Sequence, residues 1–282
     1  MKNIPVQKNK EYIVNIIDNG FEGEGIAKIE DYTIFIPGAI KGEKIKILIV
    51  KVQASYAFGK IIDIIEKSEH RIEPDCTTYK RCGGCNLRHV DYEETLNIKQ
   101  NAVQSLVNKT LKNPIEVKKT VAMGNPYNYR NKLQFPVGID KNGEPIIGVF
   151  ANRTHEIIPI QGCAIQDIKS IQIAKYVVDE IKKYNLSVYD ENTGKGLLRH
   201  VIVKAAKSTG EYMVILVVNG NKLPYSKEIA ESLVVACSSI TSVIVNINTK
   251  NTNVILGDKN ITVYGKDYII DKLGDYYFKI SP

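Results

Sequence analysis

A chain of 282 residues with 44% hydrophobic and 24% charged residues is long enough to form two domains with separate cores. It has no run of about 18 apolar residues and no apolar signal segment near its N-terminus, so a membrane span and secretion are excluded and a soluble, cytoplasmic protein is expected. A formal net charge of +7 favours a polyanionic partner only if the charge gathers on one face, since a solvated lysine-rich surface gives the same value.

Residues 10–66 predict a small β-barrel. Short β-branched runs alternate there with glycine-containing turns such as Asp18-Asn19-Gly20 and Pro37-Gly38. Five short strands in this length fit a closed barrel of OB type, a fold that often binds oligonucleotides. Six aromatic residues are interleaved with lysines, and most are expected in the interior or in turns, with the others available for base stacking: Tyr12, Phe21, Tyr32, Phe35, Tyr56 and Phe58.

Cys76, Cys82 and Cys85 follow at the spacing C-x5-C-x2-C, and Cys163 lies far downstream. The residues between the first three are polar, so these thiols do not belong to a hydrophobic strand or helix. Four thiols can close a four-sulfur shell around an iron-sulfur cluster or a zinc ion. Zinc sites commonly use two C-x2-C pairs, whereas only one is present here. His89 could replace a thiol, or lie beside the site or on the surface.

An amphipathic helix is predicted from Glu93 to Leu111. Its apolar stripe contains Leu96, Val103 and Val107, and Asn113-Pro114 ends the helix. Such a helix needs a surface to pack against.

The segment Tyr129 to Val137 is predicted to be a strand. Arg130, Lys132 and Gln134 would lie on one of its faces, and Leu133 and Phe135 on the other. Two cations beside an amide are placed to meet phosphates or base edges, although a solvated sheet face has the same pattern.

The remainder of the chain predicts an α+β domain. Lys141-Asn142-Gly143 forms a hairpin turn, and Asp167 caps a helix. Mostly antiparallel pairing is expected because the early connections are short. Cys237 lies on the apolar stripe of a later helix and is expected to be an inert, packed thiol.

Several motifs occur in an order that resembles the N-terminal part of the TrmA/RumA-type RNA (uracil-5-)-methyltransferases. They follow a barrel similar to a TRAM domain: C-x5-C-G-G-C with His89, Tyr129-Arg130-Asn131-Lys132, Gly148 to Cys163, Gly194 to His200, Asn246-Ile247-Asn248 and Ile280-Ser281-Pro282. The resemblance covers nearly the whole chain.

The resemblance implies that Cys76, Cys82, Cys85 and Cys163 hold a 4Fe-4S cluster. It also implies an RNA partner, favours ribosomal RNA over transfer RNA, and implies S-adenosylmethionine as the methyl donor of the full-length parent. Predicted RNA contacts are Arg130 and Lys132, from strand geometry, and Arg199, from its family position. His200 is expected to face away from Arg199 if that segment is a strand.

In the family, the adenosyl-binding loop, the nucleophile and the base follow the Ser-Pro segment, where this chain ends. No catalytic or S-adenosylmethionine-binding residue is therefore assigned. The expected function is that of the RNA-recognition and iron-sulfur portion of such an enzyme, inactive by itself. The alternative is a stand-alone, noncatalytic iron-sulfur or zinc RNA-binding module.

The predicted fold class is multidomain: an all-β OB-like barrel, then an α+β, mostly antiparallel domain with a four-cysteine site, and no Rossmann-like methyltransferase domain. The resemblance implies that the helix at 93–111 packs on the missing catalytic domain, so in this chain its apolar stripe would be exposed or covered by a second copy of the chain. Five segments are predicted: a barrel at 1–66, a linker and cysteine loop at 67–92, the helix region at 93–125, a central RNA-binding domain at 126–272, and the start of the missing domain at 273–282.

Overall fold

The computed structural model describes residues 4–152 and 154–282. Two compact units divide the chain, of which the first runs to Tyr79 and resumes over Gly83–Gly124. The second comprises Lys80–Cys82 and Asn125–Pro282. The segment around 66–75, where a domain boundary was expected, lies inside the first unit.

A closed barrel forms the centre of the first unit. Its strands run in the order β1-β5-β6-β4-β3-β2, and their bounds are β1 (Glu11–Asn15), β2 (Asp18–Asn19), β3 (Gly25–Ile29), β4 (Tyr32–Ile36), β5 (Lys44–Val52) and β6 (Tyr56–Glu66). The two edge strands, β1 and β2, are consecutive stretches of one segment. The Ile17 amide between them donates to the Ile26 carbonyl at 2.8 Å. The segment therefore pairs with β5 at its start and β3 at its end, which closes the sheet.

Aliphatic side chains fill the barrel. Ile34, Ile36, Ile45, Ile47 and Ile49 are fully buried there. Among the six interleaved aromatic residues, Tyr32 alone is buried. Phe21 lies in a turn and Tyr12 packs partly buried against the barrel core, so three of the six, and not most of them, occupy the interior or a turn. Strand alternation turns Phe35 of β4 and Tyr56 and Phe58 of β6 outward.

The rest of the first unit packs beside the barrel. Helix α1 (Tyr92–Thr110) is capped by Asp91, whose side chain accepts a hydrogen bond from the Glu94 amide. Ile98 is buried with Ile40 and Val90. Further along, Val103 and Leu106 are 45% and 50% exposed. The apolar stripe of the helix is thus buried at its beginning and open towards its end.

A seven-stranded sheet forms the second unit, in the order β13-β12-β11-β10-β7-β8-β9. The bounds are β7 (Lys132–Ile139), β8 (Pro145–Phe150), β9 (Ile157–Pro159), β10 (Leu198–Ala206), β11 (Glu211–Val218), β12 (Ile240–Ile247) and β13 (Lys259–Gly265). Strands β11 and β12 are parallel. Helix α3 (Ser226–Ala236) connects them and returns the chain to the end of the sheet at which β11 begins. In the barrel, β4 and β6 are also parallel. The sheet of the second unit, predicted to be mostly antiparallel, is therefore mixed, with β11 and β12 as its parallel pair among five antiparallel pairs of described strands.

Both faces of this sheet are covered. Helices α2 (Ile168–Lys183) and α3 pack on one face, and Asp167 caps α2 as predicted, accepting from the Ser170 amide at 2.8 Å. Cys237 ends α3 and packs partly buried against the same core, as expected of a packed thiol.

The opposite face is covered by Ile255 and Leu256 and by the hairpin of β14 (Ile269–Leu273) and β15 (Tyr276–Ile280). Residues 273–282, expected to begin a further domain, thus pair with the preceding strand, and Ile280 packs on this face. Among the described residues, no helix is long and apolar enough to cross a membrane.

Candidate functional site

Three aromatic rings form a cluster on the outer surface of the barrel. Phe35 of β4 lies opposite Phe58 of β6, and Tyr56 is two residues before Phe58. The ring centroid of Tyr56 is 5.6 Å from the centroids of Phe35 and Phe58, and both contacts are edge-to-face. All three rings are half-buried, and Lys51 of β5 lies opposite Phe58 of β6. We call Phe35, Tyr56 and Phe58 the aromatic platform. Such rings can stack on nucleobases while neighbouring lysines meet phosphates.

Two lysines of the second unit lie directly opposite each other on neighbouring strands. Lys132 begins β7 and pairs with Lys204 of β10. Burial lowers the pKa of Lys204, and the charge of Lys132 lowers it further. Like charges opposite each other in a sheet are destabilising, and a bound anion would relieve the repulsion. The Lys204 ammonium also donates to the Ser281 carbonyl at 2.6 Å.

The alternation predicted for β7 is present. Leu133 and Phe135 are buried in the core under the helices, whereas Lys132 is exposed and Gln134 half-buried. Arg130 precedes the strand as an exposed residue, and its amide donates to the Ile165 carbonyl at 3.0 Å. The role of Arg130 and Lys132 as RNA contacts stays a prediction.

Arg199 is not an open surface residue. It is 5% exposed and lies where a β-bulge interrupts β10. One terminal nitrogen, Nη1, donates to the carbonyls of Asn248 and Lys250, each at 2.8 Å. The guanidinium carbon is 4.4 Å from the ring centroid of Tyr189, a cation–π contact. The side chain is therefore held rigidly.

His200 is next to Arg199 and is also 5% exposed. Burial, followed by the charge of Arg199, lowers the pKa of His200 to about 4, so the ring is neutral at neutral pH. Both residues line one cavity, which the bulge makes possible because it breaks strict alternation. No sequence pattern predicts the bulge, and both residues line one cavity although opposite orientations are predicted for them.

The four cysteines of the predicted metal site are half-buried. Cys76 and Cys85 belong to the first unit, and Cys82 and Cys163 to the second. The backbone of Cys82 forms an isolated antiparallel β-bridge with Ala151, and Cys163 packs against the core of the second unit. Within residues 4–152 and 154–282, no three or more His, Cys, Asp or Glu side chains are grouped to hold a metal ion. The arrangement does not present a formed metal site, and ligation stays a prediction from spacing.

His89 lies inside the first unit. It is 4% exposed, and its Nδ1 is 2.6 Å from the Tyr79 hydroxyl. Burial, with a smaller effect of the charge of Arg71, lowers the pKa of His89 to about 4. This histidine is a buried neutral ring that anchors the cysteine loop through Tyr79, which also donates to the Asn86 carbonyl.

Comparisons with known proteins give a consistent picture. The model of the TRAM domain matches residues 5–62. A protein of Clostridium tetani named "Uncharacterized RNA methyltransferase" is 44% identical over 281 residues, which is 100% of this chain and 61% of that protein. Proteins with the same description from Clostridium acetobutylicum and Staphylococcus aureus are 44% and 40% identical, over 99% and 98% of this chain. The chain spans about three fifths of the length of these relatives.

A solved structure has a similar fold. The tRNA (uracil-54, C5)-methyltransferase of Pyrococcus abyssi, determined in complex with S-adenosyl-L-homocysteine, superposes with a TM-score of 0.69 and 20% sequence identity. The match covers 95% of this chain and 59% of that one.

These matches correct the expectations drawn from the last residues of the chain. An inactive N-terminal portion, defined by a missing Rossmann-like domain, was expected. Proteins named as RNA methyltransferases instead match the chain over its whole length, and a methyltransferase structure covers nearly all of its fold. The prediction is corrected to a chain that resembles RNA methyltransferases throughout, and its last residue carries no conclusion about activity.

Proposed function

We propose that this chain acts in the methylation of RNA, at C5 of uracil, with S-adenosylmethionine as the methyl donor. The observation that carries the proposal is the 44% identity, along the whole chain, to a protein named as an RNA methyltransferase. The name of the structural neighbour supports uracil C5 as the methylated atom, and its S-adenosyl-L-homocysteine supports the donor.

The chemistry explains why RNA recognition is needed. Uracil C5 is a weak nucleophile until a thiolate adds to C6 and makes C5 enolate-like. A base inside folded RNA must also leave its stack before a protein group can reach it. The described residues that we assign therefore bind and position RNA, and none is given a catalytic role.

The aromatic platform is the first proposed RNA contact. Stacking of a base on an aromatic side chain contributes about 1–3 kcal/mol and accepts any base. Phe35 and Phe58 are half-buried and braced by Tyr56, so they lose little freedom when a base stacks on them. Lys51, opposite Phe58, would reach the adjoining phosphate.

Lys132 is the second proposed contact, together with Arg130. The facing lysines Lys132 and Lys204 repel each other, so a phosphate bound beside them would relieve this repulsion. In contrast, Arg199 is proposed to act from inside a cavity and not on an open surface.

We also propose that Cys76, Cys82, Cys85 and Cys163 bind a metal centre, a 4Fe-4S cluster in preference to zinc. This proposal is supported by the spacing of the four cysteines in the sequence. The described residues contain no group of three or more His, Cys, Asp or Glu side chains that could hold a metal ion. No step of the reaction is assigned to this centre.

RNA binding is tested by fluorescence anisotropy with labelled ribosomal RNA fragments and transfer RNA transcripts. Both are needed because the sequence resemblance favours ribosomal RNA, whereas the solved neighbour is named for transfer RNA. Phe58→Ala should weaken binding at least about fivefold. Phe21→Ala is the matched control, since Phe21 is a 74% exposed aromatic residue outside the platform. Equal affinities of the two variants would contradict the platform.

Salt dependence tests the lysine contacts. Lys132→Ala should lower the slope of log K against log salt by about 0.7–0.9, the value of one phosphate contact. Lys227→Ala is the control, because Lys227 is exposed on α3, across the sheet. Methyl transfer is measured with tritiated S-adenosylmethionine and the RNA that binds. Absence of transfer to every RNA would contradict the proposed activity.

A further inference from the structure

A cavity of about 1000 Å³ opens in the second unit, large enough for a nucleobase and its sugar. Its walls come from the β7–β8 hairpin, the loop after β8, the segment 188–192 and the loop 251–253. Apolar and aromatic walls include Pro136, Ile146, Phe150 and Tyr189, and the polar groups Arg199 and His200 converge on them. Apolar walls with a few convergent polar groups are typical of a site for a small ligand.

Arg199 presents a hydrogen-bonding edge without a partner. Both hydrogens of Nη1 are used by backbone carbonyls, and one face of the guanidinium lies against Tyr189. The buried Nε has no hydrogen-bond partner among the described residues. The N–H groups of Nε and Nη2 point in parallel and form the fork that binds paired acceptors. The Arg199 guanidinium is therefore held in place beside the cavity that the residue lines, with its Nε unpartnered among the described residues.

His200 adds a second unsatisfied group. Its buried Nδ1 has no hydrogen-bond partner within the described residues either. Since the ring is neutral at neutral pH, it can donate or accept according to its tautomer. Two buried, unpartnered polar atoms on adjacent residues mark a site built for a bound group, because such atoms are rare in folded proteins.

The charges around the cavity are mixed, unlike those of a cationic phosphate site. Four carboxylates line it, Asp140, Glu156, Asp190 and Glu191, together with the cations Arg81, Lys141 and Arg199. Arg81 pairs with Glu156 and His155 with Glu191, each at 2.6 Å. Asp140 and Asp190 accept turn amides, and those hydrogen bonds lower the pKa of both. Among the described residues, none of the four forms an ion pair with Arg199, so its positive charge remains available to a ligand that accepts hydrogen bonds.

We propose that this cavity receives an unstacked guanine of the RNA, with its O6 and N7 against the Nε–Nη2 fork of Arg199 and its ring among the apolar walls. Guanine is the base that presents two acceptors side by side on one edge, and arginine is its usual bidentate partner. The inference rests on the proposed function for its source of guanine, since it names a part of the RNA that this site would read.

The test uses the whole chain and equilibrium dialysis with GMP, AMP and 7-deaza-GMP. The three ligands share the ribose phosphate, so differences report the base edge. GMP should bind about tenfold more tightly than AMP or 7-deaza-GMP, which lacks the N7 acceptor. Arg199→Lys, which keeps the charge and removes the fork, should abolish the preference. The 7-deaza comparison needs no variant, so the test stands even if Arg199→Lys fails to fold.

Equal binding of GMP and 7-deaza-GMP would overturn the proposal, as would a guanine preference that survives Arg199→Lys. Binding of labelled RNA hairpins with one loop guanine, replaced in turn by 7-deazaguanine, separates this inference from the proposed function. RNA binding that ignores the replacement refutes the pocket alone. A guanine preference for GMP without any binding of RNA supports the pocket and refutes the RNA function.

Discussion

Removal of the Glu43 carboxylate should lower the unfolding free energy of the barrel unit more than a substitution at an exposed position of the same unit. Glu43 has no exposed area and accepts hydrogen bonds from Nε and Nη2 of Arg71, the latter at 2.8 Å. It also accepts from the amides of Ile40 and Ser68. Burial raises the pKa of Glu43, but these hydrogen bonds outweigh it and leave the pKa below its usual value. The carboxylate therefore joins three segments of the unit.

The magnitude follows from what remains after Glu43→Gln or Glu43→Ala. Loss of one partner of a buried ion pair costs about 3–5 kcal/mol. Arg71 retains a hydrogen bond to the Gly38 carbonyl, and its side chain is 15% exposed, so the lower end, about 3 kcal/mol, is expected. Because the folded pKa is lowered, this stabilisation is fully present above about pH 4.5 and is lost as the pH falls through the folded pKa.

The assay is urea unfolding followed by circular dichroism, with hydrogen exchange of barrel peptides to assign the loss to this unit. The matched control is Glu66→Ala, which removes an exposed pair with Lys44, at 3.3 Å on the same barrel, and should cost about 1 kcal/mol or less. Replacing both buried partners, as Glu43→Leu with Arg71→Met, should cost less than Glu43→Ala alone. Equal losses for Glu43→Ala and Glu66→Ala would refute the reasoning.

Three further outcomes are expected. Anaerobically purified protein should contain iron and acid-labile sulfide in equal amounts, lost in Cys163→Ser, whereas zinc without sulfide would contradict the cluster. Because the folded pKa of His200 is about 4 against 6.5 in the unfolded chain, stability should fall by about 2 kcal/mol between pH 7 and pH 5, and His200→Gln should lack that share of the loss. Light scattering should detect dimers formed through the exposed end of α1, and Leu106→Glu should give monomers; a wild-type monomer at all concentrations would contradict this.

Local sequence patterns were sufficient to predict several secondary-structure elements. The spacing of glycine turns predicted the barrel, and period-2 alternation assigned Leu133 and Phe135 to the core. Asp167 was identified as a cap because an aspartate before an apolar stripe can accept from the first free amides of a helix. These features depend on neighbours within a few residues of each other.

Features that depend on distant neighbours were misjudged or missed. The aromatic residues of the barrel are predicted mostly in the interior or in turns, but Phe35, Tyr56 and Phe58 lie on the outer surface, since isoleucines supply most of the barrel core. The parallel pairing of β11 with β12 was missed because it depends on how α3 crosses the sheet. The bulge at Arg199 is another such feature, since a strand partner defines it.

By itself, the sequence determined the barrel, the helix caps, the spacing of the cysteines and which side chains of β7 face the core. These features follow from periodicity and turn chemistry, which act over short separations along the chain. Only the tertiary structure decided that Arg199 is buried against Tyr189 and that it lines a cavity. Its Nη1 is held by carbonyls about 50 residues away, at Asn248 and Lys250. Sequence patterns specify which residues face inward, but the packing of separate segments decides which of them meet.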